Sequence, residues 1–180
     1  MDDSLKTPRL ILKRLSTSNS QELFNITKDP EVMKYWIGGK YKVIEQATKK
    51  INDVNTHWTK HSFGDWGVFN SNTENLIGLC GLHYIPFMTE VNIGYIFKKS
   101  EWGKGYAYES CKTIINFGFK SLNLDCIVAV IWSDNKASIK LAEKLGLIFW
   151  KNIVWQSGDR VVYRQPHRQR MKLLSANYTN

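Results

Sequence analysis

Cysteine is scarce in this 180-residue chain: Cys80, Cys111 and Cys126 are the only three. None stands at metal-ligand spacing from another Cys or from a His, so no metal site is expected. Set among apolar residues, the three read as buried thiols in a reducing cytoplasm. Long apolar runs are missing as well. The longest plain one, CIVAVIW at 126–132, falls far short of the ~20 residues that span a bilayer. No early stretch joins a basic start, an apolar run and a cleavage site, so neither a signal peptide nor a membrane association is expected. Acid is lacking near the end. After Asp159 nothing offsets Arg160, Arg164, Arg168, Arg170 and Lys172, and the formal charge is +9. Residues 165–180 read either as a solvated basic tail or as a surface for a polyanion such as ribosomal RNA. No helix-turn-helix or zinc finger accompanies that charge.

What is present reads as one mixed α/β domain over 7–164. RLILKRL (9–15) is a first strand, and Ser18 or Ser20 caps a short helix that Asp29-Pro30 ends. Val43, Ala47, Ile51, Val54 and Trp58 recur at helical spacing. WGVF (66–69) and LIGLCGL (76–82) flank turn residues and form a hairpin, followed by a strand at 90–97. Ala107, Cys111, Ile114, Ile115, Gly118 and Leu122 share a helix face. CIVAVIW is a strand buried on both faces. A helix from about Asn135 points Ala137, Leu141 and Leu145 inward and stops at Gly146. Residues 147–165 form a last hairpin.

Between strand 90–97 and the next helix lies EWGKGYAYES (101–110), with Gly103 and Gly105 close together. A helix start carries unpaired N–H donors and the positive end of its dipole. Glycines without Cβ atoms let a large anion approach that backbone, and Lys104 adds charge there. A P-loop is excluded by spacing, and a dinucleotide fingerprint by the missing third glycine and acidic partner. Two readings stay open: a pyrophosphate loop of an acyl-CoA enzyme, or a tight turn with no ligand.

WGKGYAYES after VNIGYIF resembles the acetyl-CoA loop of the GNAT N-acetyltransferase superfamily. TPRLILKRL, DPEVMKYW, LIGLCGL and SDNKASIKLAEKLGL resemble, in order, segments of the RimJ/RimL branch, which acetylates N-termini of ribosomal proteins. The likeness runs from about Thr7 to Tyr163. It implies a single-domain GNAT fold: a mixed, mostly antiparallel sheet with flanking helices and splayed strands 90–97 and 126–132. The pantetheine arm of acetyl-CoA would lie between those strands. The resemblance implies backbone N–H groups over Gly103, Lys104, Gly105, Tyr106 and Ala107 holding the pyrophosphate. Trp102 stands where the superfamily more broadly has Arg or Gln. Main-chain groups of Tyr95 and Phe97 would meet the acetyl carbonyl and pantetheine amides. Asn135 would bond the pantetheine region, and it reads equally as a helix cap.

In this superfamily an amine attacks the thioester directly. The N–H of Tyr95 is the expected oxyanion donor. Where many relatives carry a Tyr acid this chain has Ala142, so Ser138 is the expected proton donor to the thiolate or a hydrogen-bonding partner of the coenzyme. Where relatives often carry a Glu base the chain has Asn92, which takes no proton at neutral pH. Glu90 and His83 are candidates to act through water. Tyr35 and Trp36 lie in the region that walls the acceptor site, and Trp58 reads as core.

An α-amine, with a pKa of ~8, is partly neutral near pH 7, whereas a lysine amine at ~10.4 is not. Weak acid–base equipment therefore favours an α-amine at a peptide or protein N-terminus. The net positive charge argues against polycationic acceptors such as spermidine. The expected protein is a cytoplasmic acetyl-CoA-dependent enzyme, a monomer or homodimer, with ribosome association one outlet for its basic end. A small-molecule amine acetyltransferase and a non-catalytic acyl-CoA-binding module are the alternatives.

Overall fold

The computed structural model describes residues 4–36, 38–156 and 158–167. Its elements run β1 (Leu5–Lys6), β2 (Leu10–Lys13), α1 (Ser20–Thr27), α2 (Ile44–His61), β3 (Asp65–Asn70), β4 (Leu76–Tyr84) and β5 (Val91–Phe97). Then come α3 (Tyr106–Lys120), β6 (Cys126–Trp132), α4 (Lys136–Lys144), β7 (Ile148–Trp155) and β8 (Gly158–Pro166). Hydrogen bonding orders the eight strands β1-β2-β3-β4-β5-β6-β8-β7. The printed ladders are antiparallel except for β5 with β6. This is the expected mixed, mostly antiparallel sheet with flanking helices. The chain divides into two compact units, Met1–His83 with Gly94–Ile114, and Tyr84–Ile93 with Ile115–Asn180.

In the first unit, Ala47, Ile51, Val54 and Trp58 are the buried positions of α2, spaced four, three and four apart as one helical face requires. Ala47 and Ile51 join Leu23 and Ile26 of α1 and Phe69, Leu76 and Leu79 of the sheet in one apolar cluster. Strands β3 and β4 pair with Asp65 opposite Gly81. A Cβ at Gly81 would collide with the Asp65 backbone, so glycine is what lets β4 lie against Asp65. Trp58 sits edge-on to Trp66, ring centres 4.7 Å apart, and its indole N–H donates to the Asp65 carbonyl at 3.0 Å. Cys80 and Cys111 are buried, with sulfurs 3.5 Å apart.

In the second unit, β8 pairs with both β6 and β7. The parallel ladder of β5 with β6 comprises Val91 with Ile127 and Asn92 with Val128. Burial of β6 on both faces holds for Ile127, Val128 and Ala129, while Cys126, Val130 and Trp132 are half-buried at the two-fold spacing of one face. The Cys126 thiol is thus less covered than expected. In α4, Ala142 is the buried residue and Ala137 is exposed, so its inward face is centred later in the helix. Strand β8 continues through Pro166, and the His167 N–H donates to the Asp125 carbonyl at 2.8 Å. The basic tail expected from residue 165 therefore begins inside a strand, and its remainder from 168 lies outside the described residues.

Candidate active site

A 3-10 turn, Lys99–Glu101, follows β5 and delivers the chain to Trp102. Gly103 and Gly105 then take left-handed backbone conformations, φ +76° and +82°. A side chain there costs ~1–2 kcal/mol of backbone strain. Space is not the constraint: a Cβ at Gly103 would meet nothing within 4 Å, and one at Gly105 only Arg9 Nη2 at 3.5 Å. The loop is open on that side. Helix α3 begins directly after it, and the Gly105 carbonyl accepts the Glu109 N–H at 3.1 Å. The loop therefore ends on the donor-rich, positive end of α3.

Arg9, on no sequence-based list of site residues, holds this loop. Its Nη1 donates to the Lys104 carbonyl at 3.0 Å, and its guanidinium lies 4.7 Å from the Tyr106 ring centre. Its Nη2 and Nε meet Glu109 Oε2 at 2.6 and 2.7 Å, and Thr7 Oγ1 donates to Glu109 Oε1 at 2.5 Å. Partial burial opposes the Glu109 charge, but the hydrogen bonds from Thr7 and Arg9 outweigh it and lower the carboxyl's pKa. Lys104 does not offer an unshared charge, because its Nζ pairs with Glu101 Oε2 at 3.0 Å. The Trp102 indole donates to the Phe97 carbonyl at 2.8 Å, so that carbonyl already accepts one bond. Tyr95 is half-buried, with its ring 6.3 Å from that of Phe97.

A second polar cluster lies in the same unit. Lys50 Nζ of α2 donates to Asp65 Oδ2 at 2.8 Å, and His83 Nδ1 lies 3.3 Å from Asp65 Oδ1. Burial raises the cost of the Asp65 charge, yet the Lys50 ammonium and the His83 hydrogen bond hold its carboxyl well below the usual range. Burial likewise opposes the Lys50 charge, and Asp65 more than restores it. With Asp53, Val54 and His57 these three residues line a cavity of about 170 Å³. Trp36 is packed against the core with Lys50 Nζ 5.1 Å from its ring, whereas Tyr35 carries Lys34 at 4.8 Å. Both acceptor-wall candidates belong to the turn region before α2, and of the two Trp36 is the one beside this cluster.

The second unit holds the remaining candidates. Asn92 is buried, and its Oδ1 accepts the Val130 N–H at 3.0 Å, two residues beyond the last ladder pair of β6. Its amide thus takes over a backbone bond where the strand pairing ends. Glu90 is half-buried, and its charge opposes ionisation of Cys126. Asn135 is the N-cap of α4, its side chain accepting the Ser138 N–H at 3.2 Å. The cap reading is therefore correct, and it ties Asn135 and Ser138 together. Ala142 is buried in α4.

The acetyltransferase (GNAT) domain family matches residues 9–148 of the chain. The uncharacterized N-acetyltransferase p20 of Bacillus licheniformis is 32% identical over 144 residues, covering 79% of this chain and 81% of its own. Among solved structures, a ribosomal L7/L12 α-N-protein acetyltransferase, RimL, in complex with coenzyme A superposes with a TM-score of 0.79 at 16% identity, covering 91% of this chain and 98% of its own. A spermidine N-acetyltransferase from Vibrio cholerae superposes at 0.70 with 20% identity, covering 91% and 96%. At those identities the two structures speak for the fold.

Proposed function

Because the chain belongs to the GNAT acetyltransferase family, with acetyl-CoA as its co-substrate, we propose that it acetylates the α-amine of a peptide or protein N-terminus. The observation that carries the coenzyme half is the strand, left-handed glycine loop and helix start, with Arg9 clamping the loop from beneath Lys104 and Tyr106. Backbone N–H groups from Gly103 to Ala107 suit a diphosphate, as a helix start commonly does. Trp102 and Arg9 keep side chains and carbonyls of the loop in place around it.

The roles of the other residues belong to the same proposal. The Tyr95 N–H donates to the oxyanion of the tetrahedral intermediate, a donor whose loss typically costs ~10²-fold or more. Ser138 gives a proton to the leaving thiolate, and Asn135, already the α4 cap, orders Ser138. Asn92 takes no proton; its amide holds β6. Glu90 is left as a charged neighbour of Cys126 rather than a base. Trp36 forms part of the acceptor wall.

An α-amine is favoured over a lysine side chain because its pKa of ~8 leaves far less proton affinity to overcome. The formal charge of +9 speaks against a polyamine. The test is thiol release from acetyl-CoA with a panel of N-terminal peptides, N-blocked lysine peptides and spermidine. Turnover confined to free peptide N-termini supports the reading. Preference for spermidine or blocked lysine replaces the acceptor, and coenzyme binding without turnover on any amine replaces the enzyme by a binding module.

A further inference from the structure

The charged cluster under α2 answers a need that Asn92 leaves open. The Asp65 side chain is 8% exposed and ionised, so it can only accept hydrogen bonds. Its contact with His83 Nδ1 therefore requires the proton on Nδ1, which places the ring's lone pair on Nε2. A buried carboxylate that fixes the tautomer of a half-buried histidine is the arrangement by which proteins present an imidazole as a base. The groups around that ring are Asp65 from β3 and Lys50, Asp53 and His57 from α2. Lys50 and Asp65 neutralise each other, Asp53 is paired with Lys49 at 2.7 Å, and burial disfavours the charged form of His57. The cavity lining thus carries two carboxylates against one ammonium, within a chain of net +9. Such a lining favours an entering ammonium.

Its distance from the glycine loop is also suitable. The Ile77 carbonyl, near the start of β4, accepts the Lys98 N–H at 2.8 Å, where β5 turns into the loop. His83 lies six residues further along β4, about 20 Å at strand rise. The pantetheine arm has about thirteen bonds from phosphorus to sulfur, roughly 15 Å at backbone bond lengths, and the acetyl group and attacking nitrogen add about 4 Å.

Resting on the acetyltransferase reading above, we propose that this cavity receives the acceptor's amine and that His83, held by Asp65, is the base that removes its proton. The ammonium gives one proton to His83 Nε2. The neutral nitrogen attacks the thioester carbon; the C–N bond forms and the C–S bond breaks. The nitrogen's next proton leaves with the thiolate as free coenzyme A, and His83 returns its own proton to water. An imidazole, with an ordinary pKa of ~6.5, is matched to an α-amine of ~8 far better than to a lysine of ~10.4. The proposal therefore bears on specificity as well as rate.

Two readouts test it. The chain has four histidines, so their imidazole proton resonances are few enough to assign. Titrating the protein–coenzyme A complex with alanine tripeptide amide should shift the His83 and His57 signals, with no shift at His167. Unmoved His83 and His57 signals overturn the cavity assignment, even where acetyl-CoA binding by calorimetry is normal and the family reading stands. The second readout compares His83→Gln with the parent protein at neutral pH. The variant should bind acetyl-CoA unchanged and acetylate the tripeptide amide roughly a hundredfold more slowly, losing the acidic limb of the pH profile. With hydroxylamine, already neutral there, it should lose far less. Equal losses for both nucleophiles, or an unchanged pH limb, would make His83 a packing residue.

Discussion

Each unit buries an ionic centre, and the two are built differently. In the first, Asp65 is clasped by Lys50 and His83, one partner on each carboxylate oxygen. In the second, Arg160 is 2% exposed and rests with its guanidinium carbon 3.0 Å from the centre of the Trp132 ring. Its Nη1 reaches the Asp159 carbonyl at 3.3 Å, while Nη2 has no hydrogen-bond partner among the described residues. A charge matched group for group depends on every partner. A charge laid on a ring face depends chiefly on packing. The first arrangement aims protons in defined directions, and the second fills space.

That contrast is open to direct challenge by substitution. Asp65→Ala should have the largest effect, about 3 kcal/mol or more of stability lost in urea unfolding, because it strands the Lys50 ammonium in the interior. A loss below about 1 kcal/mol would mean that the cluster is solvated. The same centre sets an acid limb. The Asp65 folded-state pKa is lowered from an unfolded value of ~3.9, so its contribution is present in full above that pH and declines as pH falls below it. Stability measured from pH 6 downward should therefore fall in the parent protein more steeply than in Asp65→Asn; parallel curves would break the assignment.

Arg9→Met comes next. It removes the bonds to Lys104 and Glu109 while keeping bulk over Tyr106, and should weaken acetyl-CoA binding severalfold with little change in melting temperature. Unchanged affinity would show that the loop holds its shape alone. Arg160→Met should be the smallest, within about 1 kcal/mol of the parent, since lost stacking is offset by relief of an unsatisfied buried nitrogen. A cost as large as that of Asp65→Ala would erase the distinction between the two centres.

Legibility in the sequence followed locality. The helical face of α2, the seven residues of β6 and the glycine loop are patterns within a short stretch, and they lie where spacing and turn residues place them. Arg9 and Glu109 are 100 residues apart, and Asp65 meets Lys50 and His83 across 15 and 18. No periodicity connects such pairs; the pairing of β2 through β4 creates them. Asp65 in particular reads as a polar residue before WGVF and gains its meaning from Gly81 opposite it. The end of α4 misled in another way: Ala137 suits an inward position by type, but Ala142 occupies it, because the Asn135 cap sets where the helix starts and hence which face turns inward.

The claim beneath all of this is that the backbone from 103 to 107 grips the diphosphate of acetyl-CoA. Calorimetric titration of the parent protein and Gly105→Val with acetyl-CoA tests it most directly, with melting curves confirming that both are folded. Saturable binding that weakens by roughly a hundredfold in the variant, about 2.7 kcal/mol, is the predicted result. Equal affinities for a folded parent and a folded variant would contradict it.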